Sequence, residues 1–152
     1  MLPGFLRKLL LSDGHTELQP EDARIAIAAV LVMAARADGK YDTAEETMID
    51  RTLMSRFKLT AVQAQGLREE GEIIEAEAID LFQFTRAIKV AIPHDDRLAI
   101  VEELWSVVLA DGTRDPHEDS LMRQLVDRLG LSPMDSALAR QRVAGGGSVQ
   151  GM

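Results

Sequence analysis

Residues 37–45 (Ala-Asp-Gly-Lys-Tyr-Asp-Thr-Ala-Glu) decide the fold, and residues 110–118 (Ala-Asp-Gly-Thr-Arg-Asp-Pro-His-Glu) repeat their pattern 73 positions later. In each copy an Asp-Gly pair ends a strongly apolar helical pattern. In each copy an Asp-x-x-Glu sequence then opens a new helix, because an aspartate N-cap and a glutamate three residues later can form a capping box. The repeat therefore predicts two helix–loop–helix corners with acidic side chains at matched positions.

The repeat extends beyond the corners. Between residues 20–45 and 93–118, eleven of 26 aligned positions are identical without a gap. Two copies are too few for a solenoid, in which three or more units stack. We expect a duplicated helical hairpin whose halves pack on each other with pseudo-two-fold symmetry. Arg24 and Arg97 are repeated residues and are expected to pair with acids near their own turns.

Composition predicts a single all-α domain. The chain has 152 residues, 46% of them hydrophobic and only 4% aromatic, which is enough for a sizeable core packed from aliphatic helical faces. Few segments show the alternation of a strand. We predict a bundle of about seven helices in residues 20–143, with repeats at about 20–70 and 93–143. A short amphipathic helix and loop (1–19) precede it, and a flexible tail (144–152) follows it.

The helix boundaries follow from caps, prolines and glycines. Residues 25–35 are apolar on nearly all sides of a helix, which predicts that the first helix, 20 to about 37, is central and buried. Trp105 is expected to fill the core. Gly39 fits a left-handed cap, and Gly71 is expected to interrupt the third helix. The predicted helices cover residues 20 to about 37, 42 to about 57, 61 to about 70, 76–92, 93 to about 110, 115 to about 129 and 133 to about 143.

Charge and residue usage limit the functional classes. The net charge of −8 argues against a nucleic-acid partner, which needs clustered Lys and Arg. The absence of Cys excludes disulfides, thiolate metal sites and cysteine nucleophiles. The longest uncharged apolar run, residues 25–35, is far shorter than the ~20 residues of a membrane span. No signal peptide is visible, and we expect a cytoplasmic protein.

The N-terminal residues 1–11 leave two interpretations open. Their apolar side chains follow helical spacing, and Arg7 and Lys8 lie on the opposite side. Such a helix can pack on the domain or act as a weak peripheral membrane anchor, for which two basic residues are few. The apolar side chains are Phe5, Leu6, Leu9 and Leu10.

The acidic corners have a structural and a chemical interpretation. Four of the repeated carboxylates suit helix caps, each contributing about 1 kcal/mol: Asp42, Glu45, Asp115 and Glu118. Asp38 and Asp111 instead occupy the last turn of a helix, where the macrodipole disfavours a negative charge by about 0.3–1 kcal/mol. Either backbone N–H donors or a cation can compensate them. A cation held by oxygen ligands alone would be Ca²⁺, Mg²⁺ or Mn²⁺.

The doubled Ala-Asp-Gly-x-x-Asp-x-x-Glu motif after an Ala-rich helix resembles the TerB-like family of tellurite-resistance proteins. The resemblance implies an all-helical pseudo-symmetric fold, a cytoplasmic location, no established enzymatic activity, and a link to tellurite or general stress. It also implies a divalent-cation site built from the acidic corners. Carried over residue by residue, the metal ligands are Asp38, Asp42, Glu45, Asp111, Asp115 and Glu118.

Three functional hypotheses follow. The first is a non-catalytic, cation-responsive protein in which the cation fixes the angle of the helix corners and so tunes a surface for a protein partner. The second is a metal-free helical interaction module. The third is a carboxylate-site metallohydrolase, which is disfavoured because no phosphate-binding glycine loop, His-Glu-x-x-His or Glu-x-x-His motif occurs.

Overall fold

A computed structural model describes the backbone of residues 20–110, 112 and 116–150, and the side chains of residues 22–110, 112 and 116–145. These residues form helices and no strand, which confirms the all-α prediction. The predicted N-terminal helix at 1–19 lies outside the described residues. The seven helices in the described part are α1 (Pro20–Ala35), α2 (Thr43–Phe57), α3 (Ala61–Glu77), α4 (Gln83–Ala91), α5 (His94–Val108), α6 (Pro116–Arg128) and α7 (Pro133–Gln150).

Helix α1 is the centre of the bundle. Every residue from Ala26 to Ala35 is at most 3% exposed, and α1 packs against α2, α3, α4, α5 and α6. A helix that is apolar on all sides must be covered on all sides, since exposed apolar surface is unfavourable by about 25 cal/mol per Å². The predicted buried central helix is confirmed.

Helix α3 continues through Gly71, so the predicted interruption there is wrong. A Cβ atom at this position would lie 2.9 Å from the carbonyl carbon and from the Cβ of Ala28. Glycine therefore allows the backbones of α3 and α1 to approach closely. That packing outweighs the ~0.5–1 kcal/mol that a glycine costs inside a helix.

The linking helix is shorter than predicted. Helix α4 begins only at Gln83, and residues 78–82 are not helical. The Asp80 carboxylate accepts a hydrogen bond from the Phe82 N–H at 3.0 Å, a local bond that competes with helix formation. Ile79, which falls inside the helix predicted for residues 76–92, is 97% exposed.

The first half of the bundle (α1–α3) and the second half (α5–α7) contain helices in the same order at nearly the same offset. Pseudo-two-fold packing of the halves stays a prediction. Helix α7 extends to Gln150, past the expected end at about Val143. Trp105 is 6% exposed, and its indole N–H donates to Ser136 Oγ at 3.1 Å, which confirms its place in the core.

The structure gives both repeated arginines partners other than the expected acids, and pairing with acids near their own turns stays a prediction. Arg97 donates to the carbonyl oxygens of Ile92 and Leu129, whereas the Arg24 guanidinium lies 5.0 Å from the centre of the Phe57 ring. Both arginines thus contact the C-terminal end of the second helix in their own half, where a cation complements the helix dipole.

None of the helices in the described part is long and apolar enough to cross a membrane.

Candidate functional site

The first acidic corner joins α1 to α2, and its carboxylates accept hydrogen bonds from backbone N–H groups. Asp42 is the N-cap of α2, and its carboxylate accepts from the Glu45 N–H at 3.1 Å. The Glu45 carboxylate accepts in return from the Asp42 N–H at 3.3 Å. This is the predicted capping box, which satisfies donors at the start of the helix. Asp42 is exposed, and Glu45 is fully buried.

Asp38 has a local explanation for its place at the unfavourable end of a helix. Its carboxylate accepts from the Lys40 N–H at 2.8 Å. The turn is possible because Gly39 adopts φ +80°, a left-handed conformation that glycine allows without strain. Gly112 has φ +75° at the matching position of the second corner. A backbone N–H donor, one of the two predicted compensations, therefore faces Asp38.

Burial singles out one glutamate in each half. Glu45 is 0% exposed and Glu118 is 1% exposed. A capping glutamate can fulfil its role at the surface, whereas a buried carboxylate requires compensation by hydrogen bonds or positive charge. The sequence predicted the matched positions but not their burial.

The six predicted metal ligands are only partly described. Asp38, Asp42 and Glu45 each accept a hydrogen bond from a backbone N–H, while Asp111 and Asp115 lie outside the described residues. Among the residues whose side chains are described, no group of three or more His, Asp or Glu is arranged to hold a metal ion. The first corner by itself is therefore a capped turn and not a preformed metal centre, and the six-ligand site stays a prediction.

A charged network ties the first corner to α3. Arg68 is 8% exposed and donates to Asp50 at 2.6 Å and to Glu72 at 2.7 Å. The hydroxyl of Tyr41, within the corner, donates to the same Glu72 carboxylate at 2.5 Å. Arg36, at the end of α1, donates to Glu75 at 2.6 Å. These bonds fix the corner against α3.

The network shifts the proton affinities of its members. Burial and the hydrogen bond to Glu72 raise the pKa of Tyr41. Burial lowers the pKa of Arg68, but hydrogen bonds to Asp50 and Glu72 outweigh it and raise that pKa. Tyr41 is thus a neutral donor and Arg68 a permanent cation.

This network was not predicted from the sequence. The signals that indicate it are the i,i+4 spacing of Arg68 and Glu72 on one helix and a lone tyrosine inside the acidic motif. The positions matching Tyr41, Arg68 and Glu72 in the second half are Arg114, Gln141 and Gly145. The second half therefore has different residue types at the three positions that form this network in the first half.

A groove of about 830 Å³ lies between the two halves, a volume within the range of ligand sites. We call it the inter-half groove. Helix α2 contributes Met48 to its lining, and the other lining residues come from α5, the turn after it and α7. It ends at Leu109 and Ala110, immediately before the second acidic corner. It is lined by Met48, Ala99, Glu102, Glu103, Ser106, Leu109, Ala110, Arg142, Val143 and Ala144.

Two ion pairs involve acids that line this groove. The Arg56 Nε contacts both carboxylate oxygens of Glu103, at 2.7 and 3.0 Å, and joins the two halves. Arg142 contacts Glu102 at 3.1 Å. Burial raises the pKa of Glu103, Arg56 opposes that shift, and the negative charges of Asp96 and Glu102 add to it. Each of these two groove acids thus has an arginine partner, and Asp96 adds a third negative charge near Glu103.

Comparison with known proteins identifies the family. No curated protein and no solved structure shows significant similarity to the chain. The model of one family, described as tellurite resistance protein TerB, matches residues 24–141. The match covers more than half of the chain and includes all seven described helices in whole or in part. The chain therefore belongs to the TerB family.

Proposed function

We propose that this protein is a cytoplasmic, non-catalytic member of the TerB family that acts in tellurite resistance or general stress by binding a partner protein in the inter-half groove. The groove itself carries the proposal. Its half-buried apolar residues Met48, Leu109 and Val143 come from both halves. The affinity for a partner docked there would therefore depend on how the two halves are arranged.

The chemistry of the groove favours one kind of partner. An amphipathic helix places side chains into an apolar groove at i, i+3 and i+4 spacing. The excess of acids near Glu102 and Glu103 favours a basic residue beside the partner's apolar face, since complementary charge steers association. We therefore propose a helical segment with at least one Lys or Arg as the occupant.

The second acidic corner adjoins this surface. Leu109 and Ala110 line the groove and directly precede Asp111 in the chain. A change in the direction of the chain after α5 would move one end of the groove. In this proposal the corners set the shape of the partner site and carry out no chemistry of their own.

Tellurite tolerance tests the proposal in cells that lack their own copy of the gene. Ala99→Trp fills the groove, and Glu102→Lys reverses a charge at its edge. We expect both variants to lose tolerance while their melting temperatures stay near that of the wild type. Val90→Trp is the matched control, because Val90 is 61% exposed and lies on α4, outside the groove. Wild-type tolerance in both groove variants would contradict the proposal, as would Mn²⁺-dependent phosphoester hydrolysis by the purified protein.

A divalent cation at the acidic corners is a second candidate, and the burial of Glu45 and Glu118 favours it. A bound Ca²⁺, Mg²⁺ or Mn²⁺ would neutralise carboxylates among the six predicted ligands. A ligand that binds only the folded state raises the melting temperature by mass action. We expect the metal to raise the melting temperature of the wild type but not that of the double variant Glu45→Gln/Glu118→Gln. A wild-type melting temperature unchanged by metals and by chelator would favour the metal-free module.

A further inference from the structure

A second groove, of about 500 Å³, lies beside the first turns of α1. We call it the entry groove. Its half-buried apolar residues are Ile25 from α1, Leu59 from the loop after α2, and Leu67 from α3. Its full lining is Arg24, Ile25, Leu59, Gln63, Gly66, Leu67 and Glu70. A groove with an apolar floor and a polar edge suits an amphipathic segment.

Gly66 leaves space in this groove. A Cβ atom at position 66 would meet nothing within 4 Å, unlike one at Gly71, which packs against α1. Glycine inside a helix costs about 0.5–1 kcal/mol relative to alanine. Val62, one turn earlier on the same helix, is 80% exposed. This side of α3 is therefore left open, with an apolar side chain at its edge.

The chain itself supplies a suitable occupant. Residues 1–11 carry four large apolar residues at helical spacing together with Arg7 and Lys8, and contain no acid. Exposed Glu70 lines the groove and exposed Glu69 lies beside it. The basic lining residue, Arg24, lies over the Phe57 ring, so Glu69 and Glu70 are available to complement the charges of Arg7 and Lys8. The segment precedes α1 in the chain, and the first turns of α1 line the groove.

We propose that residues 1–11 dock in the entry groove as an intramolecular helix, placing Phe5, Leu6, Leu9 and Leu10 against Ile25, Leu59 and Leu67. The connecting residues 12–19 can span up to about 30 Å when extended, which is ample for the chain to fold back onto the start of α1. A tether of this length gives an effective concentration in the millimolar range, so even a weak contact is occupied.

Cysteine cross-linking tests the docking cleanly, because the chain has no cysteine of its own. In the protein of residues 1–152, Leu9→Cys is paired with Val62→Cys, one helical turn before Gly66. The control pair is Leu9→Cys with Val90→Cys, since Val62 and Val90 are both exposed valines in helices. With a short bismaleimide, the groove pair should cross-link within one molecule faster than the control by on the order of tenfold or more, as expected from the higher local concentration.

Substitutions at Gly66 provide the second arm. Gly66→Trp fills the groove and should remove the preference for the groove pair, whereas Gly66→Ala should preserve it. Equal rates for the two cysteine pairs would overturn the proposal, as would cross-links formed only between molecules. Equal rates together with Leu9-dependent sedimentation on phosphatidylserine vesicles would assign the segment to a membrane surface instead.

Discussion

Replacing Arg68 with Met should destabilise the fold markedly, because the substitution removes the cation at the centre of the corner network. Removing one partner of a buried ion pair costs about 3–5 kcal/mol. The side chains of Asp50 and Glu72 are 26% and 20% exposed, so water compensates them in part. We expect a loss of about 2–3 kcal/mol, which corresponds to a melting temperature lower by about 6–9 °C for a domain of this size.

Urea unfolding, followed by the fluorescence of Trp105, measures this loss. Arg86→Met is the matched control, because Arg86 pairs with Asp80 at a similar distance of 2.8 Å while its side chain is 61% exposed. An exposed pair contributes about 0–1 kcal/mol. If Arg68→Met loses no more stability than Arg86→Met, the network around Arg68 does not stabilise the first corner.

Four further substitutions have defined outcomes. Gly71→Ala should lose about 1–3 kcal/mol through overpacking against α1, whereas Gly66→Ala should gain up to ~1 kcal/mol from helix propensity; thermal melting of the pair would contradict this if both changed alike. Burial raises the pKa of Glu103, so the native state binds more protons than the unfolded state and stability falls as pH rises from about 4.3 through the folded pKa. Arg56 opposes that rise in pKa, so Arg56→Met should make stability fall more steeply with pH, as measured by urea midpoints between about pH 4 and 8. A pH profile parallel to that of the wild type would argue against this explanation. Asp42→Ala should lose about 1 kcal/mol with the cap, and an unchanged melting temperature would rule out a stabilising capping box.

Local chemistry made the first corner predictable from sequence. Asp42 and Glu45 form their capping box within four residues, and the left-handed turn at Gly39 involves only its neighbours. The buried central helix was equally predictable, because a segment without a polar face must be covered by neighbouring helices.

Tertiary contacts account for what the sequence did not predict. From sequence alone, Gly71 suggests a break in the helix. Its role is instead to allow close packing against Ala28 in another helix. Arg97 binds the carbonyl oxygen of Leu129, which is 32 residues away, and no local pattern indicates that bond. The burial of Glu118 likewise depends on packing. Sequence spacing therefore identified the carboxylates of the corners but not the environment of each.

Site-specific photo-cross-linking in cells tests the central claim, partner binding in the inter-half groove, most directly. A photoreactive residue at position 99 should yield one discrete cross-linked protein, which Glu102→Lys abolishes together with tellurite tolerance. The same residue at position 90 should yield none. Equal products from both positions, or full tolerance without any product from position 99, would contradict the proposed site.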